Sequence, residues 1–263
     1  MKIAICFSGQ PRTWDLAYPS WMALIDEIRN TPKFQNEIFE FDCFIHSWNF
    51  NTTPLSIISD ISAKHQLVNQ KELNDLAGLL KPKKMLIEDS EVSNTRKEFI
   101  DMQAAKIWQP PHPNGAIISW ASPQLYGIMR CAQLKRDYEL ENNFEYDICV
   151  RMRFDSSFTY SNRNVLIRDF NLPINKRTIY SMHSINTDHF PFDIVGDIFF
   201  YSDSQTYDIL ASFYSHLPML KYDMFRYDVR IEEVFAYYIR MFDIENKRSN
   251  LDIKIKRKPN KLI

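Results

Sequence analysis

The sequence YDICVRMRFDSSF, residues 146–158, contains the pattern from which the fold of the chain can be predicted. Apolar and polar side chains alternate along it, and alternation at a period of two is typical of a β-strand. One face of this strand carries Ile148, Val150, Met152 and Phe154. The other face carries Cys149, Arg151, Arg153 and Asp155. The strand therefore places two guanidinium groups and a carboxylate on one face, with neighbouring side chains about 7 Å apart.

The charged face of this strand indicates a ligand site. A central strand of a parallel α/β sheet is usually a continuous apolar run, so charges near its end favour a cleft at the carboxyl edge of the sheet. Two arginines in such a cleft suit a polyanion. A second interpretation stays open, in which the segment is an antiparallel edge strand. Arg151 and Arg153 would then be solvated, and Asp155 would be a local ion-pair partner.

Strand-like and helix-like segments alternate along the rest of the chain. Strands are expected at 2–7, 41–48, 84–89, 178–183, 194–201 and 251–256. Helices are expected at 21–29, 70–80, 95–108, 122–141, 204–216 and 228–241. Ser122 and Pro123 are expected to cap and open the fourth helix. We predict an α/β fold with a mostly parallel central sheet flanked by helices, and a smaller, mixed second half.

The composition argues against several classes of protein. The chain has 263 residues, of which 45% are hydrophobic, and a formal net charge of −1. These values are ordinary for a globular domain and argue against general nucleic-acid binding. The four cysteines are widely spaced without a zinc pattern, so we expect reduced core thiols in a cytoplasmic protein. We expect no signal peptide, and no stretch approaches the length of a transmembrane helix.

Positive charge is concentrated in residues 247–263, where seven lysines and arginines accompany a single acidic residue, Asp252. Acidic membrane lipids are one partner for such a segment. It lacks an amphipathic aromatic face, however, and an interfacial helix needs one. We therefore favour a solvated C-terminal tail over peripheral membrane contact.

Polar residues follow the first two predicted strands. The first strand ends in SGQPR, residues 8–12, where small residues allow close backbone approach and the amides together with Arg12 can bind a phosphate. An ordinary turn is the alternative, because neither a dinucleotide fingerprint nor a P-loop is present. The second strand ends at His46, which is either a site residue or a core histidine.

Acidic residues later in the chain offer candidates for proton transfer. Gly196 interrupts the predicted strand 194–201 and indicates a bulge or a close backbone approach, and Asp197 follows it directly. Glu232 and Glu233 lie near the start of the predicted helix 228–241. Acids in a first turn also stabilise a helix through its dipole, so a catalytic and a structural role both stay open.

The order of these motifs resembles that of nucleotide-sugar glycosyltransferases of the GT-A type. The resemblance covers about residues 1–245 and rests on SGQPR (8–12), FIHSWN (44–49), YDICVRMRFD (146–155), VGDIFF (195–200) and IEE (231–233). It implies a single Rossmann-like GT-A domain of residues 1–263. In this domain residues 1–155 would bind the nucleotide, residues 156–246 the acceptor, and residues 247–263 would form the basic tail. The implied activity moves a sugar from a nucleoside-diphosphate sugar to a glycan or a lipid-linked acceptor.

The resemblance also implies roles for individual residues. The expected donor and diphosphate ligands are Ser8, Gly9, Gln10, Arg12, His46, Arg151, Arg153 and Asp155. Glu233 resembles the base of the family's x-E-D motif, with Glu232 and Asp197 as further catalytic candidates. Trp108 and Trp120 flank a proline-rich loop and are expected to contact the acceptor.

The metal site of the family is incomplete in this sequence. A D-x-D pattern holds Mn²⁺ or Mg²⁺ in the family, whereas Arg153-Phe154-Asp155 keeps only the second acid. No histidine follows His216 to match the family's late metal ligand. Asp155 is therefore the candidate metal ligand. Our hypothesis is nevertheless that the arginines neutralise the leaving diphosphate with weak or absent metal dependence.

Two other functions fit the same signals. A sugar nucleotidyltransferase would use a similar sheet and anion site, but it generally has a longer glycine-rich basic loop after the first strand than SGQPR. A non-catalytic carbohydrate- or nucleotide-binding module is compatible with the incomplete D-x-D pattern, since a fold does not determine an activity.

Overall fold

The structure of the chain is a computed structural model. It describes residues 1–30, 38–51, 66–89, 116–158, 174–183, 195–219, 231–249, 251 and 253–256. The strands are β1 (Lys2–Gly9), β2 (Glu40–Trp48), β3 (Phe50–Asn51), β4 (Gln66–Leu67), β5 (Lys84–Glu88), β6 (Ile148–Met152), β7 (Ser156–Phe158), β8 (Thr178–His183), β9 (Val195–Ser202), β10 (Glu245–Ser249) and β11 (Ile253–Ile255). The helices are α1 (Trp14–Asn30), α2 (Gln70–Leu80), α3 (Ala116–Asn142), α4 (Ser204–Ala211), α5 (Phe213–His216) and α6 (Ile231–Met241), and a 3-10 turn spans Leu217–Met219.

In the described part of the chain, a seven-stranded sheet has the order β10-β8-β9-β6-β1-β2-β5. Strand β9 is antiparallel to both of its neighbours, and the other neighbouring pairs are parallel. The predicted α/β fold with a mostly parallel central sheet and a mixed second half is confirmed. Strand β6 lies between β1 and β9 in the interior of the sheet. The interpretation of this segment as a solvated edge strand is therefore wrong.

The alternation in β6 separates two hydrophobic layers. On one face, Ile148, Val150 and Met152 pack in the same buried cluster as Trp21 of α1. On the other face, Cys149 belongs to a cluster formed with α3, α4 and α6. Helices thus cover both faces of the sheet, which is why its central strands contain so many apolar residues.

The start of α3 differs from the prediction. The helix begins at Ala116 and contains Pro123 in its interior, so a start at Ser122 is wrong. Residues 116–121 contain neither glycine nor proline and continue the helix in the amino-terminal direction. Proline has a φ that suits a helix, and the helix accepts the loss of one backbone donor there. The predicted helix at 95–108 lies outside the described residues.

Part of the predicted basic tail is folded into strands. Residues 245–249 form β10, which pairs in parallel with β8 at the edge of the large sheet. Residues 253–255 form β11, which pairs antiparallel with β7, and the Lys256 amide donates to the Asp155 carbonyl at 2.7 Å. An edge strand with one solvated side accepts a sequence as polar as ENKRS. Over these strands the segment is therefore not a solvated tail.

The cysteines are buried free thiols, as predicted. They are Cys6, Cys43, Cys131 and Cys149. Burial raises the pKa of Cys43 to about 12, so its thiol stays protonated at neutral pH. Within the described ranges, no helix combines the length and apolar character needed to cross a bilayer.

Candidate functional site

The carboxyl edge of the parallel strands brings several predicted site residues together. Strand β1 ends at Ser8–Gly9, in register with His46–Ser47 of β2. Strand β6 lies on the other side of β1 and leads directly into Arg153 and Asp155. The chain runs outward from β1 to β2 and β5 before it returns to β6, so the strand order reverses between β1 and β6. Open α/β sheets bind ligands at such a switch point.

Arg151 is a fully buried cation on β6, with 0% of its surface exposed. Its Nη1 donates to the Met152 carbonyl, whereas Nε and Nη2 have no hydrogen-bond partner among the described residues. Burial lowers the pKa of Arg151 to about 10; proximity to Tyr207 and Asp197 opposes this shift, and Arg153 adds to it. The side chain is therefore cationic at neutral pH, with two donors that the described protein does not satisfy.

Arg153 and Asp155 form a two-point ion pair at the rim of the site. The Arg153 Nε donates to Asp155 Oδ1 at 2.9 Å, and Nη2 donates to Oδ2 at 2.7 Å. The Arg153 side chain is 20% exposed, whereas that of Asp155 is 3% exposed. Bidentate pairs of this kind hold both groups in a fixed orientation. Arg153 therefore has a guanidinium of fixed orientation on a partly exposed side chain.

The described residues do not form a metal site around Asp155. Both carboxylate oxygens of Asp155 accept hydrogen bonds from Arg153. The described ranges contain no group of three or more His, Cys, Asp or Glu side chains placed to hold a metal ion. The described residues therefore contain no set of ligands for the Mn²⁺ or Mg²⁺ that the resemblance implies.

Asp197 lies at the same edge, because β9 runs antiparallel to β6 and begins there. Its carboxylate Oδ2 accepts a hydrogen bond from Gln124 Nε2 at 2.5 Å. A Cβ on the preceding Gly196 would lie 2.6 Å from the Met182 carbonyl oxygen, and the pairing of β8 with β9 is irregular at this place. The predicted close approach at Gly196 is confirmed, and it brings the start of β9 against β8.

His46 belongs to a buried polar network with Glu88 of β5. Its Nε2 lies 3.5 Å from Glu88 Oε2, and Glu88 Oε1 accepts from the Tyr126 hydroxyl at 3.2 Å and from Arg130 Nε at 3.1 Å. Burial lowers the pKa of His46. Partial burial alone would raise the pKa of Glu88, but its contacts with His46, Tyr126 and Arg130 bring it to about 2. A neutral imidazole thus lies beside a carboxylate held in its ionised form.

Helix α3 covers the side chains of Ser8 and His46. A Cβ on Gly127 would lie 3.2 Å from His46 Nδ1 and 3.7 Å from Ser8 Cβ. Ser8 is 1% exposed, and its hydroxyl has no hydrogen-bond partner in the part of the chain that the structure describes. The two side chains therefore lie buried beneath the helix.

The loop after β1 forms the accessible part of the edge. Gly9 has a φ of 124°, a conformation that strongly favours glycine, and a Cβ there would meet nothing within 4 Å. The Ser47 hydroxyl donates to the Gly9 carbonyl at 3.0 Å, and Arg12 Nε donates to Gln10 Oε1 at 2.8 Å. Both loop side chains are partly exposed. A ligand can therefore come close to the backbone of this loop at the end of β1.

The structure describes only some of the remaining predicted site residues. Glu232 and Glu233 lie in the first turn of α6, which packs against β9, and Glu233 is 8% exposed. Trp108 lies outside the described residues. Trp120 lies near the start of α3, where the description does not extend to side chains.

Sequence reasoning did not identify Gln124 or Glu88 as site residues. Residues 124, 127 and 131 share a helical spacing, and a glycine among them could have marked the side of α3 that lies on the sheet. Glu88 ends the third predicted strand, so the strand-end argument applied to His46 applies to it as well.

Comparisons with known proteins establish no family for the chain. No protein-family model matches it, and no curated protein sequence matches it. Among solved structures, the chain is similar to mouse xyloside xylosyltransferase 1 in its apo form, with 9% sequence identity and a TM-score of 0.41. This match covers 94% of this chain and 85% of that chain. A likeness at this level supports no conclusion about activity.

Proposed function

We propose that the protein is a glycosyltransferase that uses a nucleoside-diphosphate sugar as donor and a glycan or lipid-linked hydroxyl as acceptor. The observation that supports this proposal most directly is Arg151 at the strand switch point, buried and with two unsatisfied donors. Burying a charged group without its hydrogen bonds costs free energy. An anion at this edge of the sheet would interact favourably with that charge, because the low-polarity surroundings screen it weakly.

Arg153 is the direct ligand that we propose for the donor diphosphate. Two of its nitrogens fix its orientation on Asp155, and the side chain is partly exposed. When the bond between the anomeric carbon and the phosphate oxygen breaks, negative charge develops on the leaving diphosphate. Arg153 would stabilise this charge by hydrogen bonding, and buried Arg151 would stabilise it through space. The loop at Gly9 would allow the phosphates to approach the backbone.

Asp197 is the residue that we propose as general base. It lies at the carboxyl edge and accepts from Gln124 with one carboxylate oxygen, Oδ2. The other oxygen would take the proton of the acceptor hydroxyl as the new bond from acceptor oxygen to anomeric carbon forms. Glu233, in the first turn of α6, is the second candidate for this role.

Product analysis tests the proposed function. The purified protein is incubated with UDP-sugars or GDP-sugars, and separately with nucleoside triphosphates and sugar 1-phosphates. We expect release of nucleoside diphosphate from the sugar nucleotides, and a large decrease in Arg153→Gln. Pyrophosphate release from the second mixture would instead identify a nucleotidyltransferase. Nucleotide binding without either product would identify a non-catalytic binding module.

The same assay tests metal dependence. Because the Asp155 carboxylate is already paired with Arg153, we propose that donor binding does not require a divalent cation. Loss of activity in EDTA and its recovery with Mn²⁺ would overturn this part of the proposal. It would also indicate that Asp155 leaves Arg153 to bind the metal.

A further inference from the structure

We propose that Gln124 is a positioning residue, which holds one oxygen of the Asp197 carboxylate so that the other oxygen is available to the acceptor hydroxyl. This inference rests on the proposed function, because it assigns a partner to the proposed base. Asp197 is 9% exposed, so its side chain is largely enclosed at the carboxyl edge of the sheet. Positioning therefore decides which of its oxygens an acceptor meets.

The amide of Gln124 contacts Asp197 at two points. Its Nε2 lies 2.5 Å from the carboxylate Oδ2 and 3.4 Å from the backbone carbonyl oxygen of the same residue. A contact to both the side chain and the main chain restrains the rotation of the carboxylate. The Oδ1 atom makes no hydrogen bond to the described residues. One oxygen is thus fixed by the protein, and the other can accept a proton.

Gln124 and Asp197 both lie on elements whose backbones pack closely against neighbouring strands. Gln124 lies one turn before Gly127, where α3 approaches β1 and β2 so closely that a Cβ would lie 3.2 Å from His46 Nδ1. Asp197 follows Gly196, where a Cβ would lie 2.6 Å from the Met182 carbonyl oxygen. The pair therefore joins helix α3 to the start of β9 at two points of close packing. Reacting groups need such support, because small displacements reduce rates strongly.

The neutral charge of Gln124 suits a base. The Gln124 amide donates a hydrogen bond to the carboxylate without adding a second positive charge beside Asp197, which already lies near Arg151. The elements packed against β9 also carry titratable groups: His183 at the end of β8, Arg151 on β6, Tyr207 on α4, and Glu232 and Glu233 in the first turn of α6. These groups are common to the parent protein and its variants. Any difference in pH dependence between the parent protein and a Gln124 variant can therefore be assigned to Gln124.

The test compares Gln124→Glu with the parent protein. The new side chain has nearly the same shape but brings a second carboxyl group to Asp197, and two adjacent carboxyl groups share a proton. We expect the acidic limb of the pH profile of kcat/KM to move upward by at least about one pH unit. Gln70→Glu is the matched control, because Gln70 is exposed on α2, and we expect no shift there. An unshifted limb in Gln124→Glu would overturn the proposal.

A second measurement is independent of turnover. The carboxyl carbon of Asp197 is followed by NMR titration of ¹³C-labelled protein and assigned by its absence in Asp197→Asn. We expect its midpoint to rise in Gln124→Glu and to stay unchanged in Gln70→Glu. If the Asp197 midpoint rises in Gln124→Glu but the parent protein has no transferase activity, the proposed function is refuted, while the contact between Gln124 and Asp197 is supported. The same midpoint in the parent protein and Gln124→Glu would refute the positioning role.

If Gln124→Glu does not fold, Gln124→Met removes the donor and keeps a side chain that suits a helix. We then expect kcat to fall about 10- to 100-fold, with the KM for the donor within about twofold, because only the base is displaced. A change in the donor KM with an unchanged kcat would show that Gln124 acts on donor binding, and it would overturn the proposal.

Discussion

Replacing Arg151 with methionine should stabilise the protein in the absence of ligand. The Arg151 side chain is fully buried, and its Nε and Nη2 have no partner among the described residues. Methionine is flexible, apolar and of similar length, so it can fill the same space without unsatisfied donors. A residue retained at a cost in stability is expected where it serves function.

The magnitude follows from the contacts of Arg151. A buried polar group left unsatisfied costs about 1–3 kcal/mol. Replacing a whole buried ion pair or triad with apolar side chains of similar volume ranges from neutral to about 4 kcal/mol stabilising, and this range is an upper bound for replacing Arg151 alone. The substitution also loses the hydrogen bond to the Met152 carbonyl, worth about 1 kcal/mol, and the attraction to Asp197. We therefore expect a net stabilisation of about 1–2 kcal/mol, or roughly 2–8 °C in Tm for a chain of this size.

The assay is urea denaturation followed by circular dichroism, together with a thermal scan. Arg29→Met is the matched control, because Arg29 is exposed on α1 and a surface substitution should change stability by no more than about 0.5 kcal/mol. A destabilisation of more than about 2 kcal/mol in Arg151→Met would contradict the reasoning. That result would mean that Arg151 has partners that support the fold, and that it is a structural cation.

Three further predictions concern the core, the acid range and the metal. Lys135→Met should destabilise the protein by about 3–5 kcal/mol in urea, because the fully buried Lys135 lies 3.1 Å from Glu139 and 2.7 Å from Asp208, which would lose their nearest counter-ion. The pKa of Glu88 is about 2 in the folded protein, below its ordinary 4.5, so the stabilisation from its ionised form is complete above pH 4.5 and is lost as the pH falls toward 2. Glu88→Gln should accordingly make the unfolding free energy less dependent on pH in that range, and an unchanged slope would show that other acids dominate. Nucleotide binding measured by calorimetry should be the same in EDTA and in Mn²⁺, and an affinity gain of tenfold or more with Mn²⁺ would contradict the proposed metal independence.

The sequence predicts the central strand and its two faces well, because the evidence is local. Alternation in residues 148–152 depends only on the period of an extended chain, and Ile148, Val150 and Met152 do face a different helical layer from Cys149. The predicted continuation of this strand through Asp155 is wrong, because β6 ends at Met152 and residues 154–155 form a turn. The close approach at Gly196 could also be predicted, because a glycine within an apolar strand often marks a bulge or a place where another backbone comes close. The edge strand β10 could not be predicted, because a half-solvated edge strand accepts the same polar residues that are typical of a solvated C-terminal tail.

The arrangement of the site depends on tertiary contacts that spacing does not reveal. The sequence places Arg151 and Arg153 on one face, yet one is fully buried and the other is paired with Asp155 at the rim. The difference arises because the strand ends at Met152, and the face of β6 that carries Arg151 packs against α4, whose Tyr207 lies close to Arg151. Gln124 joins the site for the same reason, because the path of α3 over the sheet brings it to Asp197.

We propose that the carboxyl edge of the sheet binds a nucleoside diphosphate through its arginines. The most direct test is a thermal-shift titration with UDP, GDP, CMP and their sugar nucleotides, on the parent protein, Arg153→Gln and the surface control Arg29→Gln. We expect one nucleotide class to stabilise the parent and the control by about 2.7 kcal/mol at 100 times its Kd, and the effect to be much smaller in Arg153→Gln. No response to any nucleotide, or equal responses in all three proteins, would contradict the account.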